Sequence, residues 1–244
     1  MNKSLSLVVP TYKQEKTIIR DILYLNKVLS LLPYKSEIIV VIDGRVDKSY
    51  EKLKKAKIKN VKIISYIKNQ GKGFAVRKGM LKAKGDIIAF MDAGLDINPS
   101  ALSIALSLMQ LHDADIVLGS KLHPDSIVNY PMSRKILSVG YRSITRLLFK
   151  FEVKDTQVGL KIFKKKVVRD VFPRIIVKTY AFDVEVLAVA RLLGYDKIHE
   201  TPIKLKFRQG SITNSNFWKI SFWMLVDTLA IFYRINIIKY YNKK

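Results

Sequence analysis

Between residues 5 and 118 the chain repeats one unit, a short apolar run followed by a segment of helical periodicity. The runs fall at 5–9, 37–42, 61–66, 86–91 and 115–118. Helical patterns intervene at about 14–31, 47–57, 71–84 and 99–111, and Thr11 stands where it can cap the first. Runs so short and so continuously apolar predict strands buried on both faces. Their alternation with helices predicts an α/β fold, a mostly parallel sheet covered on both sides. With 244 residues, 49% of them hydrophobic, the chain suffices for one large domain, or one domain and a small appendage.

Two of the runs end in a carboxylate. Ile87-Ile88-Ala89-Phe90-Met91 leads into Asp92, with Asp96 four positions on, and the second run ends at Asp43-Gly44. In an open α/β sheet, ligands bind at the carboxyl edge of the strands. Asp92 with Asp96 suits a hard divalent cation, Mg²⁺ or Mn²⁺, carrying phosphate oxygens. The competing reading makes Asp92 a cap for the helix near residue 99. Asp43 can accept hydrogen bonds from a base or ribose, or serve only the turn before Gly44. Gly71-Lys72-Gly73 opens a helix, whose start would present free N–H groups to an anion, with Lys72 and Arg77 adding charge. Its spacing is not that of a Walker loop.

Beyond Gly119 the pattern changes. A polar loop leads to a basic amphipathic helix over 132–151, where Arg142, Arg146 and Lys150 share one face. A strand is expected over 155–163, a helix over 180–193 ended by Gly194, an extended segment over 198–207 and a last helix over 217–240. On that last helix Lys219, Asp227 and Arg234 cluster, leaving a wide apolar face that carries Trp218 and Trp223. This suits an in-plane interfacial helix with the basic tail 239–244 near lipid headgroups; the alternative is a core helix. The expected division is a catalytic domain over 1–211 and an amphipathic membrane-interface segment over 212–244.

The formal net charge is +24. So large an excess marks a surface held near polyanions. No RNP-type run, zinc-finger spacing or helix-turn-helix signature accompanies it, so an anionic membrane surface and a nucleotide rank above nucleic acid. With no cysteine, disulfides and thiolate metal sites are excluded. The three histidines, His112, His123 and His199, are scattered, which argues against a histidine-rich metal site. The opening Met1-Asn2-Lys3-Ser4 is not expected to be a signal peptide, and no run of uncharged apolar residues predicts a transmembrane helix.

Several motifs occur together in one order: Val8-Val9-Pro10-Thr11-Tyr12, Val40-Val41-Ile42-Asp43-Gly44, Asn69-Gln70-Gly71-Lys72-Gly73 and Asp92-Ala93-Gly94. Asp155-Thr156-Gln157-Val158-Gly159-Leu160-Lys161, Ala181-Phe182-Asp183-Val184-Glu185, Glu200-Thr201-Pro202 and Phe207-Arg208-Gln209-Gly210-Ser211 follow. Over residues 5–211 this set resembles the family 2 glycosyltransferases of GT-A fold, and within them the polyprenyl- or dolichyl-phosphate mannose and glucose synthases.

The resemblance implies a GT-A-type Rossmann-like sheet flanked by helices, with amphipathic helices C-terminal to it. It implies that Pro10, Tyr12, Asp43, Lys72 and Asp92 bind the nucleotide-sugar donor. Asp92 takes the first position of the family's Asp-x-Asp metal motif, and Asp96 falls where mannose synthases carry a metal-binding Gln. Lys121, Arg134, Gln157 and Arg208 fall on the acceptor side, with Arg134 and Arg208 the cations for lipid phosphate and donor diphosphate. Asp183 and Glu185 fall near the base of relatives with hydroxyl acceptors. The chain departs from the pattern in having Gly94 for the second Asp of the metal motif, Ile42-Asp43 for Asp-Asp, and Lys13-Gln14 for Asn-Glu.

The resulting expectation is an inverting transfer of a sugar from a GDP-mannose- or UDP-glucose-type donor to a polyprenyl phosphate. It would take place at the cytoplasmic face of the cell membrane, with Mg²⁺ or Mn²⁺. The alternatives are transfer to a glycan or protein hydroxyl, and a nucleotide- or nucleic-acid-binding module that has lost catalysis.

Overall fold

The computed structural model describes residues 3–129, 132–206 and 217–242; the side chains of 129, 132–137, 217 and 218 lie outside that description. The first half runs β1 (Ser4–Thr11), α1 (Ile18–Ser30), β2 (Lys35–Ile42), α2 (Ser49–Ala56), β3 (Val61–Ser65), α3 (Lys72–Met80), β4 (Ile87–Met91), α4 (Ala101–Leu111) and β5 (Ile116–Ser120). The second half runs β6 (Ile127–Asn129), α5 (Met132–Phe149), β7 (Leu160–Lys164), α6 (Lys165–Val171), α7 (Phe182–Leu192), β8 (Ile198–Pro202), β9 (Lys204–Lys206) and α8 (Phe217–Asn236). The strand β6 and the helix α6 are not anticipated from the sequence pattern, whereas β8 and β9 both fall in the extended segment expected over 198–207.

Seven strands form one sheet in the order β3-β2-β1-β4-β7-β5-β8. All pairings in it are parallel except those of β7, which runs antiparallel between β4 and β5. Strand order turns back at β1, with β2 and β3 on one side and β4 on the other. The crevice at the carboxyl ends of β1 and β4 is therefore the topological switch point.

Alternate residues of each strand enter two different cores, as a pleat of period two requires. Leu5, Leu7 and Val9, with Ile38, Val40 and Ile42, pack against α1 and α4 through Ile22, Leu25 and Leu102. Val8, Ile39, Val41, Ile88 and Phe90 face the other way, onto Val76, Met80 and the α7 residues Phe182, Val186 and Val189. Burial on both faces explains why these runs show no polar alternation.

Some local expectations are corrected. Thr11 does not cap α1. It ends β1, and its hydroxyl bonds the Val9 carbonyl at 3.2 Å. The helix begins at Ile18, after Gln14 O accepts the N–H groups of Thr17 and Ile18. Asp92 does not cap α4 either, since Ser100 N–H bonds Asn98 Oδ1 there. The segment 155–159 is loop, and strand pairing starts only at Leu160.

The last helix has one face on the body of the protein and one face outward. Ile231 is buried in the α7-side core, and Tyr141 of α5 shares a 2.7 Å hydrogen bond with Thr228. Tyr241, in the short 3-10 turn after α8, is also buried and bonds Glu185 at 2.5 Å. Phe222, Trp223, Leu229 and Tyr233 are exposed. Among the described residues no helix is long and apolar enough to cross a membrane.

Candidate active site

A cavity of about 450 Å³ opens at the β1–β4 switch point. Pro10, Tyr12 and Gln14 form its wall after β1, Asp43 and Asn69 another, and Lys72, Asp92 and Asp96 its polar end; Thr179 and Tyr180 complete it. Pro10, Tyr12, Asp43, Lys72, Asp92 and Asp96, which the sequence singles out from four separate stretches, thus meet in one place.

Asp92 is the first residue after β4, and its N–H donates to Gly159 O at 2.9 Å. Its carboxylate receives Lys72 Nζ 2.8 Å from Oδ2 and 2.8 Å from Oδ1. Oδ1 is buried and has no hydrogen-bond partner beyond this ionic contact. Burial would lower the Lys72 pKa, but the Asp92 and Asp183 carboxylates outweigh it and hold the ammonium charged above its ordinary range.

The start of α3 differs from expectation. The N–H groups of Gly73 and Phe74 are not open to an anion, because they donate to Lys178 O at 2.8 and 3.3 Å. Just before it, Gln70 and Gly71 donate to Asp43 at 2.8 and 3.1 Å. Gly71 has φ +99°, and a Cβ there would lie 2.4 Å from Lys178 O, so only glycine permits this close approach. Arg77 turns away from the cavity and bonds the carbonyls of Phe172 and Pro173. The ammonium of Lys72 is what this loop offers to an anion.

Asp43 is buried in the cavity wall. Besides the two backbone donors it accepts Tyr66 OH at 2.9 Å and Asn69 Nδ2 at 2.8 Å. Four donors fill the roughly four lone-pair positions of a carboxylate, so Asp43 fixes the loop that presents Lys72.

The two other acidic candidates stand outside the cavity. Asp183, on α7, is buried and bonds Lys161 Nζ at 2.5 Å. Lys161 is fully buried on β7, also donates to Val158 O at 2.8 Å, and lies 5.2 Å from the Phe90 ring centre. Burial pushes the Asp183 carboxyl up and the Lys161 ammonium down, each opposed by the partner's charge. Glu185 accepts the N–H groups of Ile176 and Val177 as well as Tyr241 OH. Burial raises its pKa against those bonds. It ties the C-terminal turn to the loop before α7.

On the acceptor side, Lys121 follows β5 and its Nζ lies 3.3 Å from Asp155 Oδ2. The N–H groups of Lys121 and Gln157 also bond Asp155, and Asp155 N–H donates to Glu200 Oε1. Because β7 is antiparallel, the loop before it sits at the same edge of the sheet as Asp92. The side chain of Arg134, on α5, and all of Arg208 lie outside the described residues.

Two features of the site escape the sequence reading. Lys161 is a lysine within an apolar run, a position where burial demands a carboxylate partner, and that was the available signal. Gly159 stands in the Asp155–Lys161 motif, but nothing in the local sequence tells that it must leave room for Asp92: a Cβ there would stand 2.0 Å from Asp92 Oδ2.

The sheet order, the reversed β7 and the polar end of the cavity define a GT-A-type fold. Glucosyl-3-phosphoglycerate synthase from Mycobacterium tuberculosis, solved with Mn²⁺, UDP and glucosyl-3-phosphoglycerate, superposes with a TM-score of 0.71 at 16% identity, over 94% of this chain and 80% of that one. Mannosyl-3-phosphoglycerate synthase from Rubrobacter xylanophilus does so with 0.71 at 16%, over 95% and 74%. The chain belongs to glycosyl transferase family 2, whose model matches residues 6–172.

Among curated proteins it is similar to a dolichyl-phosphate beta-glucosyltransferase of Drosophila melanogaster, 34% identical over 78% of this chain and 63% of that one. The human protein of the same name is 32% identical, again over 78% and 63%. A Trichomonas vaginalis one is 31% identical over 95% of this chain and 74% of its own. The chain thus spans less than two thirds of the fly and human relatives.

Proposed function

We propose that this chain is an inverting glycosyltransferase that moves a sugar from a nucleotide-sugar to a polyprenyl phosphate at the cytoplasmic face of the cell membrane. The observation that carries the reading is the Lys72–Asp92 pair at the polar end of the switch-point cavity. Glucose from a UDP-glucose-type donor is favoured over GDP-mannose. The similar curated proteins are dolichyl-phosphate beta-glucosyltransferases, and a solved relative of this fold holds UDP-glucose.

Asp92 and Asp96 line one cavity, and the Asp92 carboxylate is met there by the Lys72 ammonium, 2.8 Å from Oδ1. Among the described residues no cluster of three or more acidic, histidine or cysteine side chains stands ready for a metal. Two carboxylates still fit Mg²⁺ or Mn²⁺, which take one or two protein carboxylates and complete their shell with substrate phosphates and water. When bound, such an ion neutralises charge building on the departing diphosphate. Lys72 supplies a second positive charge to the same phosphates once it leaves Asp92.

The acceptor reading rests on the two carboxylates that fall near the base of relatives with hydroxyl acceptors, both of which stand outside the cavity and are already engaged. Asp183 is locked to Lys161, and Glu185 to two backbone N–H groups and Tyr241. A phosphate monoester is already ionised at neutral pH. Its oxygen attacks the anomeric carbon directly, the bond to the nucleoside diphosphate breaks with its electron pair, and no proton need be removed. A glycan or protein hydroxyl would need a base. Lys121, Gln157, Arg134 and Arg208 are assigned to the acceptor phosphate, residues 1–211 to catalysis, and α8 with the C-terminal tail to the membrane surface.

The test is a screen of radiolabelled nucleotide-sugars against polyprenyl phosphate, with and without Mn²⁺. Label should pass to lipid from UDP-glucose. Label passing only to a soluble glycan would overturn the acceptor, and no transfer from any donor would overturn the enzyme.

A further inference from the structure

A second cavity, of about 590 Å³, lies between α5 and the loop that leads to β7. It shares no lining residue with the donor cavity. Among the described residues three cations line it, Arg142 and Arg146 from α5 and Lys154 from the loop, and no acidic side chain does. Among the described residues none of the three forms an ion pair, nor does its side chain make a hydrogen bond. Elsewhere the protein spends its scarce carboxylates freely: Lys164, Lys166 and Lys197 share Asp113 and Asp115. Three unneutralised cations around one concavity therefore form a strong local field.

The rest of the wall is apolar, with Leu122, Val139, Leu147 and Phe151 among its residues. Leu147 is 81% exposed, and Val139 and Ile144 on the same helix are exposed too. On α8, which packs beside α5, Trp223 and Phe222 are likewise exposed. A soluble polyanion such as RNA has no use for that apolar border. An amphiphile has, because its phosphate meets the cations while its chains stay with the surrounding lipid.

We propose that this cavity is a headgroup site for an anionic phospholipid, separate from the acceptor site. It rests on the membrane reading given above and adds which lipid the surface selects. Arg142 and Arg146 are one turn apart, a spacing at which two guanidinium groups can take one phosphate. Lys154 approaches from the loop. The volume lies within the usual range for small-ligand sites. Thr156, buried and with its hydroxyl unpartnered, forms part of the same wall and links the cavity through the chain to Asp155 and Lys121.

The experiment is flotation of the full chain with vesicles of neutral phosphatidylcholine, and of phosphatidylcholine with phosphatidylglycerol, at fixed salt. Wild type should partition at least a hundredfold better to the anionic vesicles, about fivefold for each of the three cations. The variant R142Q/R146Q/K154Q should lose most of that preference, at about fivefold for each cation removed. It should also keep its thermal melt and its turnover of a short, water-dispersed polyprenyl phosphate. R142K/R146K, with charge kept, should retain an intermediate preference.

Equal flotation with both vesicles, or an unchanged preference in the triple variant, overturns the proposal and leaves the membrane reading standing. Flotation with neither vesicle overturns both. A triple variant with normal flotation but a raised KM for the polyprenyl phosphate makes this the acceptor's own site. Displacement from vesicles by inorganic phosphate, but not by sulfate or chloride at equal ionic strength, makes it a free phosphate site. A triple variant that fails to melt cooperatively hands the decision to R142K/R146K and to wild type in rising salt, where persistence of the full anionic preference at 1 M salt overturns the proposal.

Discussion

Gly159 and Asp92 are matched by absence: the carboxylate of one occupies the space where the other would carry a side chain. A Cβ at Gly159 would meet Asp92 Oδ2 at 2.0 Å and Cγ at 2.3 Å, while Gly159 O holds Asp92 N–H at 2.9 Å. The loop that enters the antiparallel strand β7 thus sets the direction of the acidic side chain just beyond its neighbour β4.

Gly159→Ala should therefore act through Asp92. The methyl group displaces the carboxylate from Lys72, and kcat/KM should fall by about 10²-fold or more, the scale on which misplaced catalytic groups are felt. Overpacking of this kind costs about 1–3 kcal/mol of stability. Turnover and a thermal melt read the two effects. Full activity in a folded variant would show that the carboxylate's position is unimportant.

Asp92→Asn and Lys72→Gln should separate within the donor site. Each removes one charge from the diphosphate's surroundings, and a loss of about 10²–10³ in kcat is expected for either. Only Asp92→Asn should abolish the response to added Mn²⁺. Titration of the free protein with the nucleoside diphosphate, with and without Mn²⁺, checks this without relying on activity. The same metal response in both variants would remove Asp92 from the metal site.

The buried pair offers a test of whether Asp183 is a base. Lys161→Met leaves an uncompensated buried carboxylate and should cost about 3–5 kcal/mol. Combining it with Asp183→Leu should restore much of that stability, since two apolar groups can replace a buried pair. The double variant should keep most of its activity, because the residues that line the cavity at the switch point are unchanged. A stable double variant without turnover would return Asp183 to a catalytic role.

The rings of His112 and His199 lie face to face, with centres 4.5 Å apart and planes 13° from parallel. Burial, and next the nearby His112, push the His199 pKa below its ordinary value of 6.5. Between those two values the unfolded chain binds more protons than the folded one, so stability falls as pH drops from about 7 through the folded pKa. His199→Phe should flatten that slope. Melting temperatures from pH 8 to pH 5 give the comparison, and an identical slope in the variant would exclude His199 as its source.

The sequence alone determined the alternation of strands and helices, because burial on both faces forces continuous apolar runs that are easy to recognise. It also determined that Asp43, Lys72 and Asp92 stand at strand or helix ends, where a doubly wound sheet collects its ligand groups. It did not determine what each group does once there. Asp43 became the anchor of the 69–71 loop because four donors from the single stretch 66–71, some twenty-five residues on in the chain, converge on it. The N–H groups of Gly73 and Phe74 at the start of α3 were taken by Lys178 O, which lies over a hundred residues away in the chain. Lys161, Asp183 and Gly159 acquired their roles only when β7 entered the sheet backwards between β4 and β5. Local patterns record propensity and burial, whereas hydrogen-bond partners and charge pairs depend on which distant segments the sheet brings within 3 Å, and that is decided by tertiary packing.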